Sequence, residues 1–171
     1  MGLRDRLRGD DGPRVRRYQM RESLMSFGDD YWIEDDSGQR AFKVDGKAIR
    51  VRDTFVLRDA EGHEAAKIQE RKARARDTME IESPGGNATV HKALIGVRDR
   101  FKVDVDGGPD LTAKGNLVDH EYEIERDGNT VATVSKRWFR IRETYGVEVE
   151  PGQDDAMILA IAVCVDAMSG E

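Results

Sequence analysis

Between Ala156 and Val165 the chain runs for ten residues with no polar side chain other than the Cys164 thiol. Asp154 and Asp155 stand just before this run, where carboxylates accept the free N–H groups of a helix's first turn. The pattern predicts a helix over about 154–168. A helix that is apolar on every side has to be buried on every side. Thirteen or so residues span only ~20 Å, short of the ~30 Å hydrocarbon layer of a bilayer, so the burial has to come from protein. A sheet curled around the helix gives each of its faces an apolar wall and removes the sheet's own free edges.

The remainder of the chain reads as material for that sheet. From Tyr18 to Val149, turn-forming clusters such as Asp35-Asp36-Ser37-Gly38, Asp59-Ala60-Glu61-Gly62 and Asp127-Gly128-Asn129 punctuate short stretches of period-two alternation. Phe101, Val103 and Val105 alternate with Lys102 and Asp104, and Tyr122 and Ile124 alternate with Glu121, Glu123 and Glu125. One apolar and one wet face is the signature of an antiparallel sheet covered on one side. Arg52-Asp53-Thr54 recurs as Arg76-Asp77-Thr78, Arg98-Asp99-Arg100 and Arg142-Glu143-Thr144, each after a Lys-led segment. The first three copies are spaced by roughly 22–24 residues, the length of two strands with their turns, so the repeated unit reads as a β-hairpin. Residues 1–17 carry six arginines among glycine, proline and aspartate and few large apolar residues. They read as a mobile basic arm, and residues 18–171 as a single barrel domain.

Composition narrows the functional classes. The 171 residues hold 28 Lys+Arg against 34 Asp+Glu, a net charge of −6, and the pI is near 5.2. An overall basic footprint is absent, so nucleic acid is not an expected partner, although a local basic patch remains open. A single cysteine excludes a disulfide framework and a four-cysteine zinc site. No apolar run reaches membrane-spanning length, and the N-terminal residues lack the apolar stretch of a secretory signal; the expected location is cytoplasmic, with peripheral membrane contact if the basic residues meet lipid.

Several of these segments together resemble the LURP-one-related family. They are Gly28-Asp-Asp-Tyr-Trp-Ile-Glu-Asp35, Phe42-Lys-Val-Asp-Gly-Lys47, the Arg-Asp-Thr repeats, Gly115-Asn-Leu-Val-Asp-His-Glu-Tyr-Glu-Ile124, Lys136-Arg-Trp-Phe139 and Tyr145-Gly-Val-Glu-Val149. Their order carries the resemblance from about Tyr18 to Met168. It implies a tubby-like closed antiparallel β-barrel of about twelve strands around a central hydrophobic C-terminal helix, related to the phospholipid scramblases. It also implies a loose association with lipid, since tubby domains bind phosphoinositides through basic side chains. The palmitoylated cysteine-rich stretch of scramblases has no counterpart here.

Catalytic constellations do not assemble. His120 lies in Asp119-His120-Glu121, but on a strand adjacent side chains face opposite ways, so these three cannot close one metal site; a structural role is expected for it, and no metal or cofactor is expected. His63 and His91 have no motif around them. Neither Ser26, Ser83 nor Ser135 has a nucleophile-elbow frame, and Gly46-Lys47 lacks a phosphate loop. Cys164, buried in the helix, is expected to be an inert thiol. The strongest binding signal is basic: Arg50 and Arg52, Arg74 and Arg76, and Arg140 and Arg142 share strand faces at equivalent repeat positions, with Lys136 and Trp138 extending the last row. Arginine's planar fork suits phosphate. These residues predict a non-enzymatic binding or scaffold module recognising an anionic phospholipid or another phosphate-bearing ligand. The alternative is a protein-interaction or purely structural domain whose arginines pair with Glu80, Glu82, Glu123, Glu125 and Glu148 across strands. An enzyme of unrecognised type is the third reading.

Overall fold

The computed structural model describes residues 14–21, 30–45, 54–71, 78–93, 100–139 and 144–169. The described strands are β1 (Arg16–Arg21), β2 (Tyr31–Asp35), β3 (Arg40–Asp45), β4 (Thr54–Asp59), β5 (Glu64–Arg71), β6 (Thr78–Ser83), β7 (Gly86–Ala93), β8 (Arg100–Val105), β9 (Leu111–Asn116), β10 (Glu121–Arg126), β11 (Asn129–Ser135) and β12 (Thr144–Val149). Each pairs antiparallel with its sequence neighbours, and β1 pairs with β12, from Arg16 opposite Val149 to Arg21 opposite Thr144. The sheet is therefore a closed barrel. The helix α1 (Asp155–Ser169) fills it, and every residue from Met157 to Met168 is buried. The all-round apolar run is thus explained by an all-round wall.

Local chemistry sets the elements where they stand. Asp154 caps the helix: its Oδ1 accepts the N–H of Met157 at 3.2 Å and its carbonyl accepts the N–H of Ile158 at 3.0 Å. On the strands, Met79, Ile81, Val90, Phe101, Val103, Tyr122 and Ile124 point inward, as their alternation requires. The alternation slips at Val131, where both Val131 and Ala132 are buried. A register shift between Ile124 and Glu125 of the facing strand makes Val131 the extra residue of a β-bulge. This is why Val131 and Val134 are three apart and yet share the inner face.

The barrel begins two residues earlier than the sequence predicts. Arg16 and Arg17, assigned to the basic arm, are the first rungs of β1. They are ordered by partners that sequence distance hides: Arg16 bonds Asp155, and Arg17 reaches Glu148 at 2.6 Å. Of the remainder of the arm, Arg14 and Val15 are exposed, and residues 1–13 lie outside the described residues.

Because neighbouring strands alternate in direction, the barrel has two distinct rims. The helix-start rim holds the β2–β3, β4–β5, β6–β7, β8–β9 and β10–β11 turns and the N-terminus of α1. The start of β1 and the end of β12 also stand at the helix-start rim; the helix-end rim holds the remaining strand ends, the turn 117–120 between β9 and β10, and the C-terminus of α1. At the helix-end rim one glycine is required for space as well as conformation. Gly115 has φ +135°, and a Cβ there would sit 2.8 Å from the Glu121 carbonyl oxygen and 2.9 Å from the Tyr122 Cα. Both are backbone atoms that cannot swing aside. Gly115→Ala is expected to cost about 2–5 kcal/mol, the sum of backbone strain and overpacking, read as a fall in the urea midpoint.

Candidate functional site

The two rims carry different chemistry. At the helix-start rim, Arg16 forks onto the Asp155 carboxylate, the Tyr18 hydroxyl donates to the same group, and Arg126 bonds the Gln153 side chain at 2.9 Å. Asp155 thus ties the start of α1 to β1, and Gln153 just before it bonds β1 and β10. The turns there are closed by their own residues. Asp35 Oδ1 accepts from the Ser37 hydroxyl and from the N–H groups of Ser37 and Gln39. The Ser37 hydroxyl and the Gln39 N–H hold the Asp35 carboxyl below its ordinary value. A depressed carboxyl stabilises the fold above the ordinary carboxylate pKa and loses that effect as pH falls. Asp59, Glu61 and His63 come together in the β4–β5 turn. There Asp59 accepts the Glu61 and His63 N–H groups at 3.0 and 2.8 Å, which makes this an acidic turn built on its own backbone.

The helix-end rim carries a buried polar cluster. His120 Nε2 lies 2.6 Å from Asp166 Oδ1, with side-chain exposures of 9% and 6%. The Tyr145 ring stacks on the imidazole at a centroid distance of 4.3 Å. Tyr31, the first residue of β2, and Tyr122, the second of β10, are buried at the same rim. Burial pushes both phenols far above their ordinary value, and the Asp166 carboxylate pushes them further. Burial likewise raises the Cys164 thiol, which fits the inert role expected for it. His120 is therefore not on a strand. It ends the 117–120 turn with φ +52° and points inward. The expectation that Asp119 and Glu121 do not join it is met, since Asp119 bonds Asn116 and Glu121 bonds Ser135. Its real partner, Asp166, is 46 residues away.

These tyrosines carry an alkaline prediction. A group whose pKa is raised in the folded state contributes stability that is complete below its unfolded pKa and is lost as pH rises. Tyr31 and Tyr122 are thus expected to steepen unfolding above about pH 10, by about 1.4 kcal/mol per pH unit for each phenol. Urea midpoints between pH 8 and 11 measure the slope, and Tyr31→Phe/Tyr122→Phe is expected to flatten it.

Of the basic residues singled out in the sequence, Arg50, Arg52, Arg74, Arg76, Arg140 and Arg142 lie outside the described residues. Lys136 and Trp138 are described, and they do not form a strand row. Strand β11 ends at Ser135, because its hydroxyl and the Lys136 N–H both bond the Glu121 carboxylate and turn the chain. Trp138 then folds back. A Cβ on Gly146 would lie 2.6 Å from the Trp138 ring and 2.9 Å from that of Phe139, so the glycine makes room for both. The Arg17 guanidinium covers the indole at 4.7 Å. Trp138 is a packing residue over the β1–β12 seam. Trp32 is capped in the same way by Arg40 and Lys43. On the outer wall near the helix-end rim, a groove of about 720 Å³ is lined by Arg100, Lys114, Glu121 and Glu123, among others. Its lysine is paired with Glu125 at 2.8 Å.

A closed barrel threaded by its C-terminal helix invites comparison with known families. The LURP-one-related family model matches residues 16–166. The chain belongs to the LURP-one-related family. Among relatives of this LURP-one-related chain is the Bacillus subtilis (strain 168) protein YxjI, described as uncharacterized. It is 26% identical over 149 residues, which is 86% of this chain and 90% of YxjI. An X-ray structure of the Arabidopsis thaliana protein AT5G01750 matches with a TM-score of 0.68 and 18% identity, covering 91% of this chain and 92% of that one. That likeness is one of fold: a closed antiparallel barrel around one C-terminal helix.

Sequence reasoning missed the buried cluster. A signal was present: Asp166 is the lone charge among the residues from Ala156 to Met168. A carboxylate on a helix buried all round has to meet a partner inside the wall.

Proposed function

We propose that this LURP-one-related chain is a binding module that recognises a phosphate-bearing ligand, an anionic phospholipid first, through its helix-end rim. One observation carries the reading. The strand ends flanking every Arg-bearing repeat segment stand at that rim: Asp45 and Thr54, Arg71 and Thr78, Ala93 and Arg100, and Ser135 and Thr144. In this reading the segments between those ends, each with an arginine pair or an Arg-Asp unit in sequence, offer phosphate the residue best suited to it. Val118, in the turn 117–120 of the same rim, is 59% exposed, an apolar contact of the kind a membrane surface accepts.

The competing reading is an interaction or structural domain, and it has its own observation. On the described strands five cations pair with carboxylates: Arg17 with Glu148, Lys43 with Asp30, Arg58 with Asp45, Arg71 with Glu80 and Lys114 with Glu125. Those ladders face outward from the barrel wall, so the proposal is confined to the rim.

Vesicle co-sedimentation tests it. Wild type is expected to pellet with anionic vesicles at low salt, to release as salt is raised, and to ignore neutral vesicles. Arg74→Glu/Arg76→Glu/Arg140→Glu/Arg142→Glu, if its circular dichroism matches wild type, is expected to stay in the supernatant. Folded wild type that ignores anionic vesicles at low salt would overturn the lipid reading and leave the interaction domain.

A further inference from the structure

The groove on the outer wall follows from the register of β9, β10 and β11. Gly115, Tyr122 and Val134 are paired across these strands. Tyr122 and Val134 turn inward and Gly115 has no side chain, so this row shows solvent only backbone and forms the floor. Asn116 and Glu121 stand on its rim side. Arg100, Lys114, Glu123 and Thr133 stand on the other side, paired in that order from β8 to β11. Two charges of this second row are unbalanced. Arg100 lies directly opposite Lys114, and like charges so placed repel. Lys114 is drawn to Glu125 at 2.8 Å, whereas Arg100 has no ion-pair or hydrogen-bond partner among the described residues. Glu123, which Lys114 passes over, accepts the Thr130 hydroxyl at 3.4 Å and meets no cation among the described residues. Glu121, by contrast, is engaged by the Ser135 hydroxyl and the Lys136 N–H. The groove therefore offers one open cation and one open anion, their backbones two strand spacings, or roughly 10 Å, apart.

We propose that this groove binds a phosphate carrying a primary ammonium on a short spacer, a phosphoethanolamine-type group, with the phosphate on Arg100 and Lys114 and the ammonium on Glu123. The inference rests on the phosphate reading above and names the class of group that the described residues select. An arginine fork with a lysine beside it suits phosphate oxygens, and the anion relieves the repulsion between the two cations. The Glu123 carboxylate accepts the N–H donors of an ammonium. The same carboxylate repels a ligand that is anionic throughout, which makes it an element of specificity. A quaternary ammonium has no N–H to donate and is recognised by aromatic faces. The groove's one aromatic residue, Tyr122, is 3% exposed and turned inward, so the primary amine is favoured. The volume of about 720 Å³ is that of a small-molecule site and accepts the group free or on a lipid.

Amide chemical shifts of the full chain, titrated at low salt with O-phosphoethanolamine, phosphocholine and ethyl phosphate, test this. Phosphoethanolamine is expected to shift amides of β9 and β10 and to bind about fivefold more tightly than the other two, the worth of one exposed ion pair. Glu123→Gln is expected to bring it down to the level of ethyl phosphate, and Arg100→Gln to weaken all three. Both positions are exposed and outward, so both variants are expected to melt near wild type. A vesicle arm separates the sources. Vesicles share one content of phosphatidylglycerol, and their remaining lipid carries either phosphoethanolamine or phosphocholine. Stronger pelleting with the former puts the ligand on a lipid; equal pelleting beside the free-ligand preference makes it a soluble compound. The proposal is overturned if no probe binds, if the three bind alike, or if Glu123→Gln keeps the preference. In each of those cases, pelleting with the phosphocholine-containing anionic vesicles still decides the rim reading by itself.

Discussion

Asp166→Ala is expected to lower stability by about 3–5 kcal/mol, the range for removing one partner of a buried pair. The substitution removes the carboxylate that meets His120 at 2.6 Å and leaves an imidazole buried with its Nε2 unsatisfied. It also removes the carboxylate whose charge acts on the buried Tyr31 and Tyr122 phenols. Asp166→Asn retains an oxygen acceptor of similar size and is expected to cost less. His120→Leu/Asp166→Leu removes both polar groups together and is expected to recover much of the loss, because apolar pairs of similar volume replace buried polar pairs at little cost. Urea unfolding of the two single variants and the double variant closes a double-mutant cycle. A coupling near zero would mean that the two side chains are neighbours without mutual stabilisation.

How far the fold was legible follows from which signals are local. The helix declared itself because ten successive apolar residues are an unambiguous pattern, and a capping aspartate marks its start. The barrel followed because an all-apolar helix needs a wall and because Phe101-Val103 and Tyr122-Ile124 alternate cleanly. Each failure involves a partner distant in sequence. Arg16 and Arg17 look like tail until Asp155 and Glu148 are brought against them by the β1–β12 closure. His120 looks like a strand residue because nothing nearby announces its left-handed backbone; its burial is set by an aspartate on the helix. Trp138 looks like the end of a basic row until Gly146, on the next strand, provides the space that it fills. For the arginine repeats, connectivity and strand direction place only the described strand ends that flank them, at one rim. Their faces are side-chain matters, and those residues lie outside the described part of the chain.

A helix threaded through a closed barrel makes a second strong prediction. An ordinary amphipathic helix accepts charge on its solvent side, so a scan along it gives alternating results. Ile158, Leu159, Ala160 and Ile161 are consecutive, and at about 100° per residue they cover the whole circumference of α1. All four are at most 2% exposed. Aspartate introduced singly at each is expected to cost at least about 4–5 kcal/mol, since none of the four directions leads to water and a new carboxylate would be buried unpaired. That is most of the stability of a typical domain, so each variant is expected to be insoluble or to lack a cooperative unfolding transition. Lys102→Asp, outward on β8 and exposed, is the control, expected to stay within about 0.5 kcal/mol of wild type. One tolerated aspartate among the four would mean that α1 has a wet side, and the wall would then be open in that direction. Four failures beside an intact control would establish in solution that the sheet encloses the helix completely. The Asp166 carboxylate would then be an acid held inside a barrel by His120.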